Sequence, residues 1–327
     1  MARLSLEDLQ SILQQATEAA GASADAAHAL ARQTVEAEAM GQSNHGVVHL
    51  LDYLNALRAG RIKGGATPVI TQPLPAIIHC ALGGGLPQHG FDMAFDRIVA
   101  TARALGLAVF CSAGGYTCGP LGTFTLRLAE QGLVALAATN GPALLAGSGS
   151  RKPVYCTNPL AFAAPQADGP PLLIDQASSM VAFAEIRLAA TRGETIPADW
   201  AIDADGNPTT DPKAAMHGAM LAFGGSRGAN IALMVEILAA GVSGANWSLD
   251  APSYIDGSQS PGTGLFVLAI NPDAIAADFR QRMAAQLKRL ADDYGVHVPG
   301  RSKAEAVERA RTAYLEIGQD LLDRLKD

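Results

Sequence analysis

Three short apolar runs in the first half of the chain, residues 76–82, 107–111 and 133–138, most constrain what it can fold into. Each is of strand length, and the first runs into Gly83-Gly84-Gly85 while the third opens into Thr139-Asn140-Gly141-Pro142, so all three read as buried strands. Helical patterns at 90–105 and 124–131 lie between them. Strands mixed with helices in this way place the chain in the α/β or mixed α+β class.

The ends of the chain are helical. Ser5-Leu6-Glu7-Asp8 is a helix start with acidic residues in its first turn, and Leu9, Ile12 and Leu13 follow it. A second, alanine-rich helix is expected from about Ser23 to Met40, and Leu50, Leu51, Leu54 and Leu57 continue an apolar face up to Gly60. Beyond 139 the chain is richer in loops. Strands are expected near 160–164, 172–175 and 264–270, and helices at 179–192 and 229–241. A long polar connection covers 196–212, a loop spans 114–120, and two C-terminal helices are broken at Val298-Pro299-Gly300. No tandem repeat, low-complexity block or long linker interrupts the pattern, so domains are expected to interleave.

Of the 327 residues, 49% are hydrophobic, ample for a substantial core. Charged residues make up 17% and the net charge is -7, which suggests neither a nucleic-acid surface nor an anionic-membrane patch. Cys80, Cys111, Cys118 and Cys156 form no CxxC and do not cluster with His, so reduced thiols are expected rather than a zinc site or a disulfide framework. The first residues lack an apolar signal core, and no run reaches the roughly 18 apolar residues of a membrane span, which points to the cytoplasm.

The stretch Gly41-Gln42-Ser43-Asn44-His45-Gly46-Val47-Val48-His49 carries the chemistry that stands out. Two imidazoles four residues apart share a face at helical spacing, and His is the usual proton carrier near neutrality. An acid/base pair and a helix end with one packed and one exposed His both satisfy the pattern. His45 and His49 have no acidic partner near in sequence that would complete a metal-ligand spacing, and metal catalysis is not indicated.

Other motifs are weaker. No strand runs into G-x-G-x-x-G, and Gly147-Ser148-Gly149 lacks the frame of a nucleophile elbow. Gly224-Gly225-Ser226-Arg227-Gly228 precedes a helix, where backbone N–H groups and Arg227 suit a phosphate as well as a plain capping loop would explain it. Cys156-Thr157-Asn158-Pro159 reads as a turn with polar side chains. Glu185 and Arg187 sit on an otherwise apolar helix, either as an ordinary charged face or with the carboxylate beside a pocket for a cationic substrate.

Together these pieces resemble the type-2 malate/L-lactate dehydrogenases. The resemblance spans nearly the whole chain and rests on Asn44-His45-Gly46-Val47 with Tyr53, Leu57 and Gly60, on Thr157-Asn158-Pro159-Leu160-Ala161-Phe162, and on Ile196-Pro197-Ala198-Asp199-Trp200-Ala201-Ile202-Asp203. It continues through Gly206-Asn207-Pro208-Thr209-Thr210-Asp211-Pro212 and through Gly224-Gly225-Ser226-Arg227-Gly228 into Met234-Val235-Glu236-Ile237-Leu238. It implies a nicotinamide-dependent, metal-free oxidoreductase of 2-oxo, 2-imino or 2-hydroxy acids on a non-Rossmann, largely antiparallel cofactor-binding sheet flanked by helices. It also implies a homodimer and a helical part formed by both chain ends. The expected division is 1–66, holding the catalytic His, then 67–270 for cofactor and substrate, then 271–327 packing back on the first.

Carried over by position, His45 is the proton donor and Thr157 a substrate contact. The cofactor segments are Tyr116-Thr117-Cys118-Gly119-Pro120, Asp175-Gln176-Ala177, Ser226-Arg227 and Pro299-Gly300-Arg301. The chain departs from the family in five places. Asn44 stands for the usual Ser, so the bond that orients His45 is expected from the Asn44 amide or from Ser43. His49 stands for an Arg that grips the substrate carboxylate. Tyr116-Thr117 and Phe183 stand where the piperideine-carboxylate reductases carry His. Glu185 falls where that branch has an Asp able to hold a charged imine nitrogen. The expectation is therefore a reductase of cyclic 2-imino acids such as Δ1-piperideine- or Δ1-pyrroline-2-carboxylate, with His45, Asn44 and Glu185 at the reaction centre and His49 and Thr157 on the substrate. The cofactor is NADP or NAD: Arg227, Arg301 and Lys303 can meet a 2′-phosphate, which favours NADP slightly, and the same cations would suit a pyrophosphate. The alternatives are a malate- or lactate-type 2-hydroxy-acid dehydrogenase and a catalytically weak binding protein on the same fold.

Overall fold

The structure, a computed structural model, describes residues 1–325. Strand β1 (Ala2–Leu4) leads into α1 (Leu6–Ala19), α2 (Ala24–Ala39) and α3 (Val47–Arg58), with one 3-10 turn, Ser43–His45, between the last two. The first two helices start as their sequences dictate: Ser5 and Ser23 accept hydrogen bonds from the N–H groups of Asp8 and Ala26, and Glu7, Asp8 and Asp25 occupy the first turns.

The middle of the chain holds β2 (Val69–Leu74), β3 (Ile77–Ala81), α4 (Pro87–Leu105), β4 (Leu107–Gly115), α5 (Gly122–Glu130) and β5 (Val134–Thr139). Short strands β6 (Leu145–Ala146) and β7 (Pro153–Tyr155) precede the hairpin of β8 (Leu160–Ala164) and β9 (Leu172–Gln176). Then come α6 (Phe183–Arg192), β10 (Ala201–Ile202), α7 (Pro212–Met216), β11 (Ala219–Met220), and α8 (Ser226–Glu236), which runs into a π-helical turn at Ile237–Val242. Strand β12 (Thr263–Ile270), α9 (Phe279–Tyr294), α10 (Arg301–Thr312), β13 (Leu315–Ile317) and α11 (Gln319–Arg324) follow.

Seven strands form the main sheet in the order β2-β3-β4-β12-β5-β8-β9, in which β3 and β4 are the parallel pair. The mixed, largely antiparallel and non-Rossmann class expected from the sequence is the one found. Its middle position belongs to β12, which arrives late in the chain and pairs with β4 on one side and β5 on the other. Helices α4 and α5 cover one face, where the Phe91 ring meets Phe110 and Phe124 edge to face at 5.6 and 4.9 Å. Val235 of α8 packs with Cys111 and Phe266 on the opposite face. Cover on both faces is why the strands read as continuous apolar runs rather than as an alternation.

Two smaller bodies flank this sheet. A four-stranded sheet, β10-β11-β6-β7, packs with α6 around Leu145, Ile186 and Met220. Helices α1 to α3 enclose Leu9, Leu13, Leu30, Leu50 and Leu54, and the chain end returns to them: β13 pairs antiparallel with β1, and Ile317, Leu322 and Leu325 enter the same cluster.

Glycine explains two boundaries that differ from the sequence reading. Helix α4 starts at Pro87, with Gly90 inside it because a Cβ there would crowd Cys80 on β3 and Leu82 just after it. Helix α8 starts at Ser226, with Gly228 inside its first turn because a Cβ would overlap the Phe223 backbone. The helix expected from 179 starts at Phe183, since Ser179 is taken by a bridge to Ala222. Strand β4 extends to Gly115, taking the first part of the expected loop. Strands β1, β2 and β13 and helix α11 are short or exposed elements with too few apolar residues to announce themselves.

Candidate active site

His45 closes the 3-10 turn and His49 lies in the first turn of α3, so the two imidazoles do share a face: their centroids are 6.0 Å apart, with the rings perpendicular. His49 is fixed from two sides. Its Nδ1 lies 3.1 Å from Asp52 Oδ2, and its ring meets Tyr53 at 5.0 Å. Asp52, three residues on and on the same helix face, is thus an acidic partner near in sequence, which corrects the reading that the pair has none. Burial raises the Asp52 pKa, but the His49 hydrogen bond and charge, with help from Arg187 and Arg324, outweigh it and hold the carboxyl below its usual value.

The ring of His45 keeps its surface open, yet the protein massed around it disfavours the charged form. That desolvation, followed by the repulsion of His49 and Lys303, lowers its pKa to about 4. Ligand-free His45 is therefore neutral at pH 7.

Asn44 does not turn its amide toward the imidazole. Its Nδ2 donates to Glu185 Oε1 at 2.9 Å, bringing the first turn of α6 against the turn that carries His45. The expectation that this amide orients His45 is thus replaced by a bond between two polar residues of separate elements. Phe183 packs against the core of the smaller sheet, and Arg187 is exposed.

A buried polar network joins the imidazole face to the loop after β4. Tyr53 Oη donates to the Thr117 carbonyl at 3.0 Å, Thr117 Oγ1 donates to Tyr53 Oη at 2.7 Å, and Gln88 Nε2 donates to Gln33 Oε1 at 2.8 Å. Gly119, at φ 64°, leaves room for Gln33. Tyr116, Cys118 and Pro120 are buried, so of this segment Thr117 and Gly119 present partly open surface to a ligand.

Three expected cofactor segments converge here. Asp175 Oδ2, near the end of β9, accepts at 2.9 Å from the N–H of Gly122, two residues beyond the Tyr116 to Pro120 loop. Burial raises the Asp175 pKa, against the Gly122 bond and the charge of Lys303. Leu173 on the same strand donates its N–H to the Pro299 carbonyl, and Gly300 packs so closely on Leu173 that a Cβ would clash. Lys303 thus acts on both Asp175 and His45.

The residues present fit a phosphate-bearing nucleotide. Unlike α1 and α2, helix α10 begins with no side-chain cap and no acid in its first turn, and carries Arg301 and Lys303 there instead. Cations at a helix N-terminus are unfavourable alone, but with the free N–H groups they form an anion site. Helix α8 repeats the pattern, with Gly225 as its cap residue and Arg227 in its first turn. Ser226 lines a cleft of about 510 Å³ with Gly147, Ser148, Ser150 and Met180, and no other expected site residue lines that cleft. The structure does not bring Ser226 and Arg227 into the contacts that join the other three segments.

Thr157 is partly open and its carbonyl accepts from Ser178 N–H at 2.8 Å. Its neighbour Asn158 is fully buried and has the one positive φ among the described non-glycine residues, 37°. Asn158 Nδ2 donates to the Ala232 carbonyl and to Glu236 Oε2, both at 2.8 Å, so the turn is anchored on α8. Sequence reasoning missed Asn158, Glu236 and Asp52 as supports of the site.

Comparison with known proteins agrees across the chain. The family described as malate/L-lactate dehydrogenase matches residues 4–326. A (2R)-3-sulfolactate dehydrogenase (NADP(+)) from Chromohalobacter salexigens is 34% identical, the match covering 99% of this chain and 97% of that protein. A Δ1-pyrroline-2-carboxylate/Δ1-piperideine-2-carboxylate reductase from Pseudomonas putida is 33% identical over 99% of this chain and 96% of its own. The crystal structure of Δ1-piperideine-2-carboxylate reductase from Pseudomonas syringae pv. tomato superposes with a TM-score of 0.95 at 32% identity, covering 100% of this chain and 99% of that one.

Proposed function

This chain belongs to the malate/L-lactate dehydrogenase family, and on that premise we propose that it is an NAD(P)H-dependent reductase of small cyclic 2-imino acids, such as Δ1-piperideine- or Δ1-pyrroline-2-carboxylate. The observation that carries this reading is the Asn44–Glu185 hydrogen bond, which sets a carboxylate beside the turn of His45. A carboxylate there suits a substrate whose reacting nitrogen is cationic.

The nicotinamide cofactor supplies the hydride when bound. Glu185 holds the iminium nitrogen, and Asn44 orients Glu185. His49, braced by Asp52, meets the substrate carboxylate in place of the family Arg, with Thr157 as a further contact. His45 is the proton-transfer group. Neutral in the free protein, it gains a proton more readily once an anionic substrate lies beside it, and a protonated ketimine also brings a proton of its own. Asp175, the Thr117 and Gly119 positions, and the α10 N-terminus with Arg301 meet the cofactor, with NADP preferred. Ser226 and Arg227 are proposed to meet it at the α8 N-terminus.

A 2-hydroxy-acid dehydrogenase is the second reading. It is favoured by the same neutral His45, ready to act as base on a hydroxyl, and by the likeness to the sulfolactate enzyme. A panel of ketimines, oxo acids and hydroxy acids with both cofactors separates the two. Turnover of oxo acids without turnover of either ketimine overturns the first.

The proposed assembly is a homodimer, supported by the exposed apolar residues Leu233, Met234, Ile237, Val242, Trp247 and Leu249 on and after α8. The proposed setting is the cytoplasm; no helix among the described residues is long and apolar enough to cross a membrane.

A further inference from the structure

We propose that Glu38, a residue of α2 outside the site described above, is the positioning residue for His45. The inference rests on the reading of His45 as the proton-transfer group. It starts from an irregularity in how α3 begins. The cap residue of α3 is Gly46, which has no side chain to satisfy the first N–H groups of the helix. Glu38 reaches over from the last turn of α2 and does so instead: its Oε1 accepts from Val47 N–H at 2.7 Å. A carboxylate is also the charge that a helix N-terminus favours.

Gly46 and Glu38 fit one another. A Cβ on Gly46 would overlap the Glu38 carboxylate, so the space that glycine leaves is the space Glu38 fills. Glu38 also acts through its backbone, since its carbonyl accepts from Gly41 N–H where α2 ends. One residue thereby fixes both ends of the segment 41–46. Within that bracket His45 N–H donates to the Gln42 carbonyl and Gly46 N–H to the Ser43 carbonyl, which forms the 3-10 turn.

The direction in which α3 leaves that turn decides where the imidazole of His45 stands relative to His49, Glu185 and Lys303. The other supports lie at the near side of the turn, where Gln42 N–H donates to the Ala37 carbonyl and the Asn44 side chain reaches Glu185, while Val47 at the start of α3 depends on Glu38. Burial raises the pKa of Glu38 against the Val47 bond, as expected for a carboxylate held in a confined place by one strong donor. Without the Glu38 side chain the backbone bonds of Gly41 to Glu38 and of Gln42 to Ala37 still close the end of α2, but Val47 N–H loses its acceptor and the start of α3, with His45 before it, is free to shift.

The test compares Glu38→Ala, Glu38→Gln and Gly46→Ala in the full chain, reading kcat and KM, cofactor affinity, and the NMR titration of His45. Glu38→Ala is expected to lower kcat by about 10- to 100-fold with cofactor affinity within about threefold, and to move the His45 titration toward the ordinary value. Glu38→Gln, whose amide oxygen still accepts from Val47, is expected to restore most of kcat. Gly46→Ala displaces the carboxylate and is expected to act like Glu38→Ala, and to do so less in the Glu38→Ala background, where its methyl has room. If Glu38→Ala fails to fold, Gly46→Ala and Glu38→Gln against the parent chain still carry the test. Unchanged His45 titration in both Glu38→Ala and Gly46→Ala overturns the proposal, as does a Glu38→Gln variant no better than Glu38→Ala. The titration reads the position of His45 whether or not His45 moves the proton, so failure of the catalytic reading appears separately, as a His45→Gln variant with full turnover.

Discussion

Asn44 and Glu185, 141 residues apart in the chain, meet in a 2.9 Å hydrogen bond that joins the turn before α3 to the first turn of α6. Asn44 belongs to the helical body at the chain start, and Glu185 to the helix packed on the small four-stranded sheet. The bond therefore holds the turn that carries His45 against the first turn of α6. It also fixes one carboxylate oxygen, leaving the other free for a ligand.

Glu185→Gln keeps the size of the side chain and an acceptor oxygen while removing the charge. A hydrogen bond to a charged group contributes about 1.5–3 kcal/mol, so kcat/KM for a ketimine is expected to fall roughly 10- to 150-fold. A neutral oxo acid should lose less than about threefold. Steady-state kinetics on both substrates checks this, and equal losses on the two would remove the iminium role of Glu185.

Asp52→Asn tests the carboxylate anchor proposed for His49. Asp52 braces His49 through Nδ1, which leaves Nε2 as the nitrogen free to meet a ligand. An amide at position 52 gives weaker support to the ring, and a single imidazole cannot form the fork of an Arg. KM for carboxylate substrates is expected to rise roughly tenfold while kcat changes by less than about twofold. Inhibition by a small monocarboxylate should weaken in parallel, and a change confined to kcat would argue that His49 belongs to the chemical step.

Arg301 and Lys303 lie in the first turn of α10, where the helix itself gives them no favourable partner. Replacing each by Ala separates two roles. If Arg301 meets the 2′-phosphate, Arg301→Ala raises KM for NADPH by roughly 10- to 100-fold and leaves NADH within about threefold. A cation on the pyrophosphate weakens both cofactors alike. Lys303→Ala should in addition raise the His45 titration, because Lys303 is one of the charges that oppose its protonation.

Much of the architecture was legible because its causes are local. Ser5 and Ser23 announce their helices through capping, and residues 76–82 and 133–138 announce strands through uninterrupted apolar character. The facing of His45 and His49 follows from a spacing of four. What stayed hidden depends on partners distant in sequence. Nothing near Asn44 says that its amide will find Glu185, and nothing near Glu38 says that its carboxylate will cap a helix nine residues on. The pairing of β1 with β13 joins the two chain ends, and neither strand has enough apolar residues to stand out. Asn158 looked like an ordinary turn residue because its left-handed backbone and its hold on Glu236 exist only after α8 has docked.

The lowered pKa of His45 has consequences for both stability and rate. Its folded value of about 4 lies below the unfolded value near 6.5, so between those limits the unfolded chain binds more protons. Stability from this group is therefore fully present above about pH 6.5 and is lost as pH falls toward 4. Melting temperatures of the parent chain and His45→Gln, compared from pH 7.5 to 4, should converge or cross in favour of the variant in acid. The rate argument uses kcat/KM, which reports the free enzyme. Reduction of an oxo acid needs a proton from the protein, so its kcat/KM should fall steadily as pH rises above about 4. A ketimine protonated in solution brings its own proton, so its profile should stay level through the range where His45 is already neutral and decline only as the substrate deprotonates. If the two profiles follow one another with a shared inflection near pH 4, His45 delivers the proton to both substrates and the ketimine gains nothing from arriving charged.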